Sequence, residues 1–184
     1  MRRLLIVLAI AVLGGACWGA ETPPLPTPRA SGMSSAEAAL LRRPLEFPKY
    51  EGGCPVTKDS REVTPAAGQG FGEGPIYPVG NQVAVGRRDD GLYGGKILWI
   101  GDKRYEGPAL IRGKRIDREG GLHFVLGSAT TDEFLLTAGG WAHATPVDGT
   151  SHWPSGVVVR GGGCYAFQID GTDFTTVVVL RVRA

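Results

Sequence analysis

The sequence holds little of what most catalytic or nucleic-acid-binding chains rely on. It has three cysteines, three histidines and two methionines in 184 residues. Zinc sites need three or four ligands at compact spacing, whereas His123, His143 and His152 are scattered. No metal or other cofactor is therefore expected. No G-x-S-x-G elbow is present, and nucleophilic catalysis needs a nucleophile, an adjacent base and an orienting group. Charge of one sign is also lacking. The 20 basic and 18 acidic residues become 18 and 18 once residues 1–16, with two arginines and no acid, are set aside. Nucleic-acid binders carry a basic surplus to displace counterions from phosphates, so no nucleic-acid partner is expected. The basic residues between Arg87 and Arg118 are interleaved with acids and read as a solvated face. The apolar run Leu4 to Leu13 is too short for a membrane-spanning helix.

That run carries a different meaning. MRRLLIVLAIAVLGGAC has a positive start, an apolar stretch and a small-residue exit, the pattern of a secretory signal peptide. Its end resembles a bacterial lipoprotein signal, with Gly15, Ala16 and then Cys17 in place to receive lipid. It departs from that pattern at Gly14, where leucine is usual; Leu13 stands one position early. Conventional cleavage near Ala16 or Ala20 is the alternative. The chain is expected to be exported, to the outer face of the bacterial membrane through a lipid on Cys17 or as a secreted protein.

Export favours disulfides, and an odd cysteine count needs an explanation. Lipidation uses Cys17 and leaves Cys54 and Cys164 as a pair; two free thiols are the alternative. Closing so long a loop stabilises by roughly 4–5 kcal/mol in the chain-entropy model.

What is abundant is glycine and proline, 29 and 13, with 42% hydrophobic residues. That combination signals many turns and a real core, hence an all-β fold. Four segments are expected: a signal peptide over 1–16, a Pro/Thr/Ser-rich tether over 17–33, a short helix and linker over 34–50, and a β-sandwich domain over 51–184. Ser34 with Glu37 forms a capping box, and Pro44 ends the helix. Strands are expected at 76–79, 82–85, 96–100, 109–116, 122–126, 133–137, 157–159, 164–169 and 174–182. Asp170-Gly171 between the last two marks a hairpin. Alternation puts Tyr165, Phe167 and Ile169 on the core side, and Cys164, Ala166 and Gln168 on the other. A Cys54–Cys164 bond then clamps the N-terminal segment across the outer face or edge of the sheet. The architecture is an immunoglobulin-like β-sandwich with Trp99 as its core tryptophan; a small barrel is the runner-up.

Several stretches, RRPLEFP, CPVT, GFGEGPIYPVG, KILWIG with GPALIRGKRID, and WPS with GCYAFQIDGTDF, together resemble a group of bacterial exported β-sandwich proteins without an assigned activity. The resemblance implies export, the Cys54–Cys164 pairing and the sandwich. Cys17 and the tether lie outside it.

Function is less legible. His123 sits at a strand position and reads as a partly buried residue. Asp132 with Glu133, and Asp170 with Asp173, read as turn and strand-edge residues rather than as a glycosidase pair. GQGFGEG is followed by Pro75, so the nucleotide-loop context fails. The stretch 139–155, GGWAHATPVDGTSHWPS, lacks a strand pattern and concentrates Trp141, His143, His152 and Trp153. Long loops are often functional, and these four residues are the candidate ligand-binding set. The alternative is that the tryptophans fold back as a lid. The reading is a non-enzymatic envelope module, lipid-anchored or secreted, that binds an envelope ligand or protein partner, or else serves a structural role. An exported hydrolase on a β scaffold is the alternative.

Overall fold

The structure is a computed structural model that describes residues 32–65, 67–137 and 149–184. It opens with α1 (Ser35–Leu41). The Ser34 hydroxyl accepts from the Glu37 backbone N–H at 3.2 Å, and the Glu37 carboxylate accepts from the Ser34 N–H at 2.6 Å. Both are donors a helix start otherwise leaves unpaired. Leu40 is the residue of α1 that is buried.

Twelve strands come next among the described residues: β1 (Ser60–Thr64), β2 (Gly68–Phe71), β3 (Ile76–Pro78), β4 (Gln82–Arg87), β5 (Tyr93–Gly101), β6 (Ala109–Arg115), β7 (Leu122–Leu126), β8 (Ala129–Thr131), β9 (Glu133–Leu136), β10 (Ser151–Val159), β11 (Gly163–Asp170) and β12 (Thr175–Arg183). β1 and β2 form a separate two-stranded ribbon. The others form two layers in the order β8-β7-β10-β5 and β12-β11-β6-β9. β4 stitches the layers along one edge. Its Gln82–Ala84 half runs parallel to the end of β12, and its Val85–Arg87 half pairs antiparallel with β5. β3 continues along the same side of β5. The chain passes between layers from β5 to β6, β6 to β7, β8 to β9, β9 to β10 and β10 to β11, which makes a β-sandwich closed along one edge by β4.

The core lies between the layers. Trp99 meets Phe167 edge-on at 5.6 Å, and Phe124 stacks on Phe134 at 5.5 Å; each contact joins the two sheets. Tyr165, Phe167 and Ile169 face this core, as the alternation predicts, with Val178, Leu180 and Val182 beside them. The indole N–H of Trp99 donates to Ser155 Oγ at 3.0 Å, which donates onward to the Ile97 carbonyl.

β11 is buried on both faces. Its second face, with Cys164 and Ala166, packs with Val179, Phe47 and Cys54. The cover is the segment after α1, which crosses the outer face of this sheet as a strap. Cys54 is bonded to Cys164, their Cα atoms 5.5 Å apart, so the clamp inferred from cysteine parity is present. The strap is part of the fold and not a plain linker. Asp170, fully buried, accepts from Arg112 Nη2 at 2.6 Å, from Gln168 Nε2 and from Thr175 Oγ1. Arg112 and Gln168 in turn donate to the carbonyls of Arg43 and Pro44, and Glu46 N–H donates to Gln168 Oε1. Arg43 reaches the carbonyls of Thr172 and Phe174.

The structure corrects four expectations. Asp170 is no strand-edge residue but the buried centre of this network. Arg112 and Arg115 are 8% and 4% exposed, so the Arg87–Arg118 stretch is not uniformly a solvated face. His123 is exposed, with Nδ1 2.5 Å from Asp132 Oδ1. Residues 151–155 are strand, not loop. β10 pairs with β5 along its whole length, but with β7 only over Gly156–Val159. Pro154 therefore sits where one side of the strand is unpaired, the place where a sheet tolerates proline.

Candidate functional site

Antiparallel partners share a face of the sheet. Tyr77 of β3 pairs with Ile100 of β5, and Ile100 pairs with His152 of β10. The three form a row on the face of their layer opposite the Trp99 and Trp153 row. The ribbon strand β1 contributes Arg61 and Val63 to this region, and a groove of about 320 Å³ opens there. Ile100, Gly101 and Tyr77 line it, with the turn Asp102–Arg104 and Thr150 at its rim.

Local sequence fixes the parts. Gly74 has φ +80°, and a Cβ there would fall 2.0 Å from the Tyr77 hydroxyl. Only glycine lets the chain pass so close while in the left-handed region. The Tyr77 ring is nearly enclosed, and the Arg61 guanidinium lies 5.5 Å from its centroid. Arg61 Nη1 also donates to the Tyr77 hydroxyl at 3.1 Å, and that hydroxyl donates to the Glu73 carbonyl. Asp102 begins the turn. Its N–H donates to the Pro75 carbonyl, and its own carbonyl accepts from Tyr105 N–H.

Asp102 organises the charge. Its Oδ1 accepts from the Arg104 N–H at 3.1 Å and from Arg104 Nε at 3.4 Å, and its Oδ2 lies 3.8 Å from Arg61 Nη1. The Arg104 backbone N–H, with the two guanidiniums behind it, holds this carboxyl below the usual carboxylate range. The carboxylate side chain is 16% exposed, while those of Arg61 and Arg104 are 54% and 88% exposed. One largely covered carboxylate thus positions two guanidiniums that still face water, and Lys103 adds a third cation to the same groove.

A second cavity of about 400 Å³ shares Arg61, Tyr77, Asp102 and Arg104 with the first. Its far side is different: Glu73, Pro75, Tyr105, Asp173 and Phe174 line it. Tyr105 packs edge-on against Phe174 at 5.3 Å and donates its hydroxyl proton to the Pro108 carbonyl at 2.6 Å. Burial raises the pKa of that hydroxyl. The two cavities therefore share Arg61 and Arg104, with Lys103 lining only the first and Glu73 and Asp173 only the second.

Of the residues singled out in the sequence, Trp141 and His143 lie outside the described residues. His152 joins the groove's row, with Nε2 2.9 Å from Thr150 Oγ1. Trp153, its neighbour, points to the opposite side of β10 and packs in the core at 5% exposure. His152 and Trp153 are therefore not on one surface. The arginines of the groove carry no sequence signal. Arg61 stands in a segment with no recognised strand pattern, and Arg104 belongs to a basic stretch whose charges looked balanced. Three or more His, Cys, Asp or Glu side chains do not gather into a metal site among the described residues.

No family model matches the chain, and no curated protein matches it. Among solved structures it shows a distant likeness to the ASH / PapD-like domain of human CEP192 (PapD-like domain 7). The two are 12% identical with a TM-score of 0.29, over 71% of this chain and 97% of that one. A likeness of that size assigns neither ligand nor partner.

Proposed function

We propose that the protein is an exported, non-enzymatic binding module held at the outer face of a bacterial membrane by lipid on Cys17. The observation that carries the binding reading is the groove beside Tyr77. It is concave, it is bordered by cations that remain accessible, and a covered carboxylate orients them. Export is supported by the charged, apolar and small-residue order of the first 17 residues and by the Cys54–Cys164 bond, which belongs to an oxidising compartment.

The hydrolase alternative has one observation in its favour, the His123–Asp132 pair, which has the form of a base and its orienting carboxylate. Those side chains are 47% and 80% exposed, so water competes for both partners, and the cavity of about 330 Å³ that they help to line has no serine, threonine or cysteine on its wall to act as the nucleophile.

Fractionation tests the anchor. The wild-type protein should sediment with membranes and Cys17→Ser should be released to the soluble exported fraction; wild type already fully soluble after export would reject lipidation. Binding is tested with the released Cys17→Ser form on washed cell envelopes. Retention should fall at least tenfold in the Arg61→Gln/Arg104→Gln variant, and equal retention would remove the groove from the reading.

A further inference from the structure

We propose that the groove recognises a terminal phosphate monoester, clamped by Arg61, Arg104 and Lys103. This rests on the binding reading above and names the chemistry of its ligand.

The geometry supplies three arguments. The first is preorganisation. Arg61 is fixed by its bond to the Tyr77 hydroxyl and by its place over that ring. Arg104 is tied to Asp102 by its backbone N–H at 3.1 Å and touches it through Nε at 3.4 Å, while its side chain stays 88% exposed and available. Holding a guanidinium in place before binding reduces the rotamer entropy that recognition would otherwise cost. The second is number and type. A carboxylate is planar and is satisfied by a single guanidinium fork, whereas a phosphate monoester offers three oxygens and up to two charges. Two guanidiniums and an ammonium around one cavity match the phosphate. The third is length. The adjoining cavity carries Glu73 and Asp173, so an extended polyanion running from one cavity to the next meets like charge. The anionic group is therefore the end of the ligand, and the portion of the ligand extending toward Tyr105 and Phe174 is uncharged or cationic.

A phosphate monoester of this kind can come from a soluble metabolite or from a lipid headgroup, and the test separates the two. The probes are inorganic phosphate, glycerol 3-phosphate, acetate, long-chain polyphosphate, and phosphatidylcholine vesicles with and without phosphatidic acid. The protein is the exported Cys17→Ser form. The readout is the arginine Nε–Hε NMR signals of Arg61 and Arg104, with sedimentation for the vesicles. Glycerol 3-phosphate should shift both signals saturably and more tightly than acetate. Arg61→Gln and Arg104→Gln should each weaken it about tenfold, the loss of a charge-assisted hydrogen bond, while Arg88→Gln, whose arginine pairs with Asp90 away from the groove, should not. Sedimentation only with phosphatidic acid present would assign the lipid source, and shifts with glycerol 3-phosphate but no vesicle binding would assign the soluble one. The proposal is overturned if acetate binds as tightly as glycerol 3-phosphate, if polyphosphate binds more than tenfold tighter per molecule, or if no probe shifts either arginine. Retention on envelopes that survives such a result would show the binding reading to stand with a different ligand.

Discussion

Replacing Asp170 should be among the most damaging single changes in this domain, although the residue sits beside a hairpin turn. Asp170 is fully buried, and the Arg112 side chain that it pairs with is 9% exposed. Breaking a buried ion pair by removing one partner typically costs about 3–5 kcal/mol, because the remaining charge has no compensation. Asp170→Asn keeps the shape and part of the hydrogen bonding to Gln168 and Thr175, so its cost belongs at the low end, about 3 kcal/mol. The folded unit spans Met33–Ala184, and a domain of about 150 residues loses roughly 2–4 °C per kcal/mol. The melting temperature should therefore fall by about 6–12 °C. Arg112→Met should also be destabilising, but by less, because Asp170 keeps Arg43 at 3.9 Å and its hydrogen bonds from Gln168 and Thr175. The double variant should recover part of the loss, because neither charge is then unpaired, and the two changes should be non-additive by at least about 1 kcal/mol. Equilibrium urea unfolding followed by circular dichroism measures all three. The strap adds a second readout: its bonds to Gln168 and Arg112 should loosen, and amide exchange at Glu46 should accelerate. Additive effects below about 1 kcal/mol each would refute the account of this network as the anchor of the strap.

Non-reducing peptide mapping should recover one Cys54–Cys164 link, and reduction should lower stability by up to about 4–5 kcal/mol; two alkylatable thiols in the native protein would exclude the bond. Trp153→Ala should cost roughly 3–5 kcal/mol, as for large aromatics in cores, and leave binding of glycerol 3-phosphate unchanged; a stable variant with impaired binding would move the tryptophan from core to site. Asp117 is held below its ordinary value of 3.8 by its hydrogen bond from Arg115, so its contribution to stability is present above that value and is lost as pH falls through the lower, folded-state value. Asp117→Asn should thus be destabilising at neutral pH, with a difference from wild type that shrinks in acid; a difference independent of pH would place the effect in packing instead.

The legible part of the fold is the part written in side-chain period. CYAFQI and FTTVVVLRV each turn one face to the inter-sheet core, so their inward sets could be read directly. KILWI, apolar on both faces, belongs to β5, the strand that pairs with β10 on one side and with β3 and β4 on the other. The ribbon β1–β2 was not legible. SREVT and GQGF bury little beyond Thr64, Gly70 and Phe71, too few positions to leave a hydrophobic period to detect. β8 is three residues at the edge of its sheet and fails for the same reason. The first half of β10 was hidden by Pro154 and Gly156, residues that signal a turn unless one knows that the edge beside Pro154 is unpaired.

The site was harder to read than the fold because its logic is not periodic. Arg61 and Arg104 are 43 positions apart in sequence, and what joins them is Asp102, reached from β1 on one side and from a turn after β5 on the other. A single carboxylate balancing two arginines looks like neutral surface when charges are summed along the chain. In three dimensions the same carboxylate is 16% exposed while the guanidiniums face water, and with Lys103 the groove's lining holds three cations against one carboxylate. The balance that argued against a nucleic-acid partner holds for residues 17–184, 18 basic against 18 acidic, while the full chain carries a net +2; Glu73 and Asp173 add acids beside the groove. On the proposal above, the groove adjoins a cavity lined by Glu73 and Asp173, which would repel a long polyanion. It suits a short ligand with one charged end, and that distinction rests on where Glu73 and Asp173 lie relative to Arg61 and Arg104, not on how many charges the sequence contains.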